Sequence, residues 1–168
     1  RELGESDTRT ADALREIGSL YREMGHYEKA EKFLVDAVLS YESNKIFQGH
    51  DMAVALNDLG LTYMNQEKLS VAEKALKKSI NMAEKAHHPN HMLVTSPLVN
   101  LSTLYLKQGR WVVAEPILER AIRIIKSGLG PKSDRLSTAL GNLAGIYKRQ
   151  GKSLESEKLY KESYRMKE

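Results

Sequence analysis

Ala55-Leu56-Asn57-Asp58-Leu59-Gly60-Leu61-Thr62-Tyr63 decides the fold, because its pattern returns at a fixed distance on both sides. Tyrosine stands at Tyr21, Tyr63, Tyr105 and Tyr147, each 42 residues from the last, with no insertion or deletion between them. Other columns keep the period: Leu14, Leu56, Leu98 and Leu140; Ile17, Leu59, Leu101 and Leu143; Glu31, Glu73, Glu115 and Glu157. Three columns hold only small residues: Gly18, Gly60, Ser102 and Ala144; Ala30, Ala72, Ala114 and Ser156; Ala37, Ser79, Ala121 and Ser163. Small side chains at fixed helical positions let two helix axes approach closely. Each unit therefore reads as a tight pair of antiparallel helices stacked on the next.

The helices follow from apolar periodicity and their ends from turn residues. First helices are expected near 9–24, 51–66, 93–108 and 135–150, second helices near 27–43, 69–86, 111–127 and 153–166. Within each pair the turn falls at Met24-Gly25-His26, Gln66-Glu67-Lys68, Gln108-Gly109-Arg110 and Gln150-Gly151-Lys152. Glycine suits the left-handed residue that ends a helix, and Glu67 departs from it at a modest cost. Polar connections join the units at 43–50, 87–91 and 127–134, the last with Gly128, Gly130 and Pro131 as breakers. Pro97 occupies the column of Ala13, Ala55 and Ala139. Either the third unit's first helix starts late, with Ser96 near its cap and Pro97 at its first position, or the helix is kinked there.

Composition limits the function classes. The 168 residues carry a net charge of +4, unevenly placed. Residues 1–51 hold 7 Lys and Arg against 11 Asp and Glu, whereas residues 92–168 hold 14 against 7. Such a dipole can steer an elongated partner or be plain solvated surface. The basic residues at the C-terminal end are interleaved with Glu155, Glu157 and Glu162, so a nucleic-acid partner is not expected. Neither an apolar run of membrane-spanning length nor a signal segment is present, and no membrane partner is expected. Cysteine is absent, which removes disulfides and thiolate chemistry but leaves the compartment open. A cytoplasmic location is favoured over a periplasmic one. The chain begins without methionine and ends inside a helical pattern, and so reads as a single repeat domain (units about 9–50, 51–92, 93–134 and 135–168) from a longer protein.

The column order Leu-x-x-Ile/Leu-Gly/Ala-x-x-Tyr, then Gly, then Ala-Glu and a later Ala, resembles the tetratricopeptide repeat. The 42-residue unit, the stretch from Ala55 to Tyr63, Leu129-Gly130-Pro131 and Gln150-Gly151-Lys152 resemble the repeats of kinesin light chains and related bacterial proteins. The resemblance spans residues 3–168. It implies an all-α, right-handed superhelical solenoid of four helix-turn-helix repeats whose first helices line a concave groove. It also implies a scaffold that binds a peptide or a helix of a partner protein. Two alternatives stand beside it: a regulatory or sensor segment of a multidomain signalling protein, and a self-associating structural oligomer.

If the core columns are buried, helical spacing places the neighbouring stripe in that groove. The first unit contributes Asp12, Arg15, Ser19 and Arg22, the second Val54, Asn57, Leu61 and Met64. The third adds Ser96, Val99, Thr103 and Leu106, and the fourth Thr138, Gly141, Gly145 and Lys148. Val54, Leu61, Met64, Val99 and Leu106 would make its middle apolar, an arrangement that either a partner or a permanent internal cover would explain. Beside the stripe run Glu16, Asp58, Asn100 and Asn142, and then Glu23, Asn65, Lys107 and Arg149. By resemblance, Asn57, Asn65, Asn100 and Asn142 are candidates to bond an extended peptide backbone. Family members that grip a chaperone's carboxylate tail do so with lysines and an arginine. Here the corresponding places hold Asp12, Ser96 and Asn100, so that specialisation is not expected. Kinesin light chains take cargo peptides with a tryptophan among acidic residues, and a groove flanked by Arg15, Arg22, Lys107, Lys148 and Arg149 resembles theirs. The partner is thus a protein or peptide with an apolar anchor and an acidic flank.

Other motifs weigh less. Trp111, in the column of Tyr27, Leu69 and Ser153, is expected in the core, as is the tyrosine column. His87, His88 and His91 span a helix end and Pro89 without a carboxylate or cysteine to complete a metal shell. No set of residues suits a nucleophile, a phosphate loop or a paired-carboxylate mechanism, so neither an enzyme nor a cofactor is expected. The exposed last helix, with Leu154, Leu159, Tyr160, Tyr164 and Met166, is a candidate surface for self-association.

Overall fold

A computed structural model describes residues 2–43, 49–128 and 134–166. The described residues form eight α-helices: α1 (Glu2–Glu23), α2 (Tyr27–Ser43), α3 (His50–Asn65), α4 (Leu69–Ala86), α5 (Thr95–Lys107), α6 (Trp111–Gly128), α7 (Asp134–Arg149) and α8 (Ser153–Arg165). A 3₁₀ turn, Met92–Val94, precedes α5. The helices divide into two compact units, Arg1–Pro89 and Asn90–Glu168. In the first, α1 packs on α2, α2 on α3 and α3 on α4, and in the second α5, α6, α7 and α8 repeat the scheme. All four helix pairs expected from the period are present. The breakers Gly130 and Pro131 lie outside the described residues.

The columns explain the packing. Leu34, Leu76 and Leu118, one per period, have no exposed surface, and each contributes about 1.5–3 kcal/mol by leaving water. Gly18 and Gly60 are the space they fill. A Cβ added at Gly18 would lie 2.6 Å from Leu34 Cγ, and one at Gly60 2.7 Å from Leu76 Cγ. Three of the four serines in the small columns bond the facing helix, whereas Ser102 bonds the Val99 carbonyl of its own helix. Ser79 Oγ donates to the Ala53 carbonyl (2.6 Å) and Ser156 Oγ to that of Ala144 (2.8 Å), so the polar atom is buried with its bond made.

The turns also follow the period. Gly25, Gly109 and Gly151 have φ of 77°, 72° and 76°, and Glu67 sits at 57° in the same place. The residue after each turn, His26, Lys68, Arg110 or Lys152, reaches the tyrosine of its own unit. The Lys68, Arg110 and Lys152 cations stand 5.7, 4.2 and 4.9 Å from the ring centroids of Tyr63, Tyr105 and Tyr147, and the His26 ring 6.2 Å from that of Tyr21. A cation over a ring face holds the turn against the helix pair.

Several expectations need correction. Helix α5 does start late, but at Thr95 and not at Pro97. His91 receives the Leu93 N–H on Nδ1 (3.2 Å) and the Val94 N–H on its carbonyl (3.1 Å), opening the 3₁₀ turn. Pro97 thus falls in the first turn of α5, where its missing N–H has no intrahelical partner to lose. Pro116 lies inside α6, a second proline within a helix. It is exposed, so the Val112 carbonyl it fails to bond faces water. Ile17, expected in the core, is 40% exposed, and Trp111 is only half-buried, its ring covered by the Arg149 guanidinium at 4.0 Å.

Candidate functional site

In the Arg1–Pro89 unit the first helices α1 and α3 meet through polar side chains. Ser19 Oγ donates to Asp58 Oδ2 at 3.0 Å. Burial raises the Asp58 carboxyl above its ordinary range; the Ser19 hydroxyl and the Arg22 and Arg15 guanidiniums pull it down without reversing that. Arg15 and Arg22 are themselves about one-fifth exposed. Their carboxylate contacts are loose ones to Glu16 (3.7 Å) and Glu23 (3.8 Å), both well exposed, and such pairs hold little. Arg22 Nε is buried with no hydrogen-bond acceptor. Val54, Asn57 and Leu61 lie on one face of α3 at spacings of 3 and 4 and are half-buried, whereas Asn65 is exposed.

Two expected groove residues belong elsewhere. Met64, only 5% exposed, is core. Asp12, placed in the first unit's stripe, accepts a bond of 2.5 Å from the Tyr41 hydroxyl of α2. It is therefore committed to the second helix of its own pair. Burial and the Asp12 carboxylate together push the Tyr41 phenol well above its usual range.

The Asn90–Glu168 unit has the same tie at the same spacing. Asn142 Nδ2 donates to Thr103 Oγ1 at 3.1 Å, joining α7 to α5 as Asp58 and Ser19 join α3 to α1. Both residues were expected to face a partner, and the structure brings them together. Beside them Asn100 and Leu106 are half-buried and Lys107 and Lys148 exposed. Val99 is 6% exposed and belongs to the core. Arg149, expected at the groove, lies over Trp111 of α6 instead. The apolar stripe thus narrows to Val54 and Leu61 in one unit and Leu106 in the other.

A second recurrent tie fixes the turns at 66–68 and 150–152 to the preceding second helix. Glu31 of α2 accepts from Gln66 Nε2 (2.9 Å) and Lys68 Nζ (2.7 Å). Burial alone would raise its carboxyl, but the two donors bring it below its usual value. Glu115 of α6 likewise accepts from Gln150 (2.6 Å) and faces Lys152 at 3.9 Å. The glutamate column is legible in the sequence, whereas its partners, 35 and 37 residues on, are not, because no single period relates them.

Among the described residues no three His, Cys, Asp or Glu side chains stand close enough to share a metal ion, and no helix is long and apolar enough to cross a membrane. His87 lies against His50, with Nε2 and Nδ1 3.4 Å apart.

A family model described as tetratricopeptide repeat matches residues 51–127 and 93–168, and a second with that description matches residues 10–43. No curated protein matches the chain by sequence. Solved structures similar to it include BtubC from P. vanneervenii, with TM-score 0.80 at 13% identity over 97% of this chain and 71% of that one. A putative kinesin light chain of Podosopora anserina with nearly identical repeats gives 0.68 at 17% identity, over 94% of this chain and 74% of that one. Aspartyl phosphate phosphatase F of Bacillus subtilis gives 0.84 at 16% identity, over 95% of this chain and 40% of that one. At these identities the likeness is one of fold.

Proposed function

Because this chain belongs to the tetratricopeptide repeat family, whose fold typically serves as a protein–protein interaction scaffold, we propose that its first-helix faces bind a peptide or helix of a partner protein. One observation carries this reading: Leu61 and Leu106 are half-open to water in columns the fold does not need to be apolar. The Leu61 column otherwise holds Ser19, Thr103 and Gly145, and that of Leu106 holds Arg22, Met64 and Lys148. Core columns, by contrast, stay apolar or small in every unit. Within the Arg1–Pro89 unit alone, covering what Leu61 and Val54 still expose supplies about 1.5–3 kcal/mol before the cost of ordering a ligand.

The polar surroundings suggest the ligand's character. Arg15 and Arg22 both act through space on one half-buried carboxylate, Asp58, and Arg22 keeps an unmet donor among the described residues. An acidic group flanking an apolar anchor would use that donor capacity. Asn57 and Asn100, half-buried, suit the backbone of an extended segment, since one amide both donates and accepts. Asn65, Lys107 and Lys148 are exposed at the margin and would tune rate more than affinity.

Selection from a displayed random-peptide library, followed by calorimetry on the winning peptide, tests the proposal. The wild-type chain is expected to enrich peptides with an apolar anchor and acidic neighbours. Leu61→Asp combined with Leu106→Asp should abolish binding while leaving helical circular dichroism unchanged, and Arg15→Glu with Arg22→Glu should weaken acidic peptides selectively. Undiminished affinity in the double leucine variant would reject the assignment.

A further inference from the structure

The fold brings together two histidines that stand 37 residues apart in sequence. His50 opens α3, and His87 is the residue that follows α4. Gly49 sets their approach. At a φ of 65° it packs on the last turn of α4, where an added Cβ would lie 3.3 Å from Ala86 Cβ and 3.5 Å from Met82 Cε. His50 Nδ1 and His87 Nε2 then come within 3.4 Å, with the rings at 84° to each other and both residues exposed.

That separation is long for a hydrogen bond, which draws a nitrogen donor to about 2.9–3.0 Å from its acceptor. It is close to the spacing of two ligands on one ion. Imidazole nitrogens at about 2.0–2.1 Å from a tetrahedral zinc stand about 3.3 Å apart, against about 2.8 Å for adjacent nitrogens of a square-planar ion. Nor does the repeat require imidazoles here, since one period on the same columns hold Met92 and Leu129. Charge does not oppose a cation. Helix α4 ends at the site with its carbonyl end, and Asp51 in the first turn of α3 balances Lys85 in the last turn of α4.

We infer that His50 and His87 hold a zinc ion that clips the start of α3 to the end of α4. Each ring gives one nitrogen lone pair, Nδ1 from His50 and Nε2 from His87. Among the described residues no third His, Cys, Asp or Glu joins them, so water fills the rest of the tetrahedron. The ion is therefore exchangeable and held more weakly than in a closed four-ligand site. Because it needs the paired helices to bring its ligands together, it stabilises the folded unit increasingly as zinc exceeds its Kd. A sequence count groups His87 with His88 and His91, yet His91 Nδ1 accepts the Leu93 N–H, and the partner of His87 comes from the start of the paired helix. The site does not depend on a ligand at the first-helix faces.

Zinc chloride titrated into the metal-stripped chain, followed by calorimetry and by nitrogen NMR of the imidazoles, tests this. One zinc per chain is expected, moving the ring resonances of His50 and His87 and leaving those of His26 in place. The melting temperature should rise by about 3–10 °C at ten to a hundred times the Kd, and EDTA should reverse the rise. His50→Gln and His87→Gln, which keep a hydrogen-bonding amide, should each weaken zinc by about tenfold or more and abolish the rise. His88→Gln should change neither, and circular dichroism checks that all three variants fold. Absence of saturable binding up to millimolar zinc overturns the inference, as does binding that survives His50→Gln or His87→Gln undiminished. A loss of melting temperature in these two variants that is the same with and without zinc assigns the pair a hydrogen-bonding role alone, and overturns it too.

Discussion

Glu67 is the residue at which local chemistry and the repeat disagree. Its φ of 57° places it in the left-handed region that Gly25, Gly109 and Gly151 fill in the other units, and a side chain there costs about 1 kcal/mol. Glu67→Gly is expected to stabilise the protein by about 0.5–1 kcal/mol after the added freedom of the unfolded glycine is discounted. A thermal melt a few degrees higher is the check, and an unchanged melt would mean that the glutamate's own contacts offset the strain. Asp58 is a second such residue: the next two repeats carry Asn100 and Asn142 in its column, and the first repeat's Glu16 is exposed where Asp58 is half-buried. Its folded-state carboxyl is raised from the ordinary 3.8 mainly by burial, so the folded protein holds a proton more readily than the unfolded chain. The ionised form therefore costs stability as pH climbs from the ordinary aspartate value through the raised one. Asp58→Asn keeps an acceptor for Ser19 and removes that cost. It should raise the melting temperature at neutral pH, and the gain should vanish in acid below the ordinary value. The sequence marked Asp58 and Arg22 as neighbours of the groove. It could not show that Asp12 is taken by Tyr41 or Arg149 by Trp111, because those pairs lie 29 and 38 residues apart and no single period relates them.

At the scale of helices, closeness is set by what is missing from Gly60. Leu76 Cγ lies where a Cβ would stand, 2.7 Å away, and Leu76 has no exposed surface through which to retreat. Gly60→Ala is expected to cost about 1–3 kcal/mol in urea titration, despite alanine's better helix propensity. In a Leu76→Ala background the cost should fall sharply, a coupling that a double-mutant cycle measures. Equal costs in both backgrounds would remove the steric explanation. The helix boundaries are legible because turn and column repeat together, whereas Pro116 gives no such signal, since its column holds Lys32, Lys74 and Lys158 on an exposed face. The ion pairs along the second helices show a device that column reading can find. Glu42 of α2 meets Lys78 of α4, and Lys126 of α6 meets Glu162 of α8 at 2.9 Å. The charges are exchanged between equivalent positions, so each joint keeps its attraction while the two differ in sign. Such swaps favour one register of stacking over its neighbours more than they add stability.

Across the whole chain, periodicity fixes which columns are core but not how completely each member is covered. Ile17 and Tyr160 obey their columns in type and position, yet among the described residues each has a packed helix on one side only, and each is exposed. Met64 and Val99 err the other way: they sit in stripe columns with Arg22, Leu106 and Lys148 and with Arg15, Asn57 and Gly141, yet both are buried with the core, as apolar side chains at its margin can be. The same locality has a kinetic consequence. Within each unit the helices pack on their neighbours in sequence, with α1 on α3 and α5 on α7 as the next-nearest contacts, so no contact waits on the closure of a long loop. Refolding from urea, followed by far-ultraviolet circular dichroism in a stopped-flow instrument, should recover most of its helix signal within milliseconds, as low-contact-order helical proteins do. Tyr63→Ala, which opens a cavity under the Lys68 cation, should cost about 3–5 kcal/mol, and that cost divides between the folding and unfolding limbs according to how early the α3–α4 pair forms. A dominant phase lasting seconds in the wild type would mean that something other than neighbour-to-neighbour packing limits the assembly of these repeats.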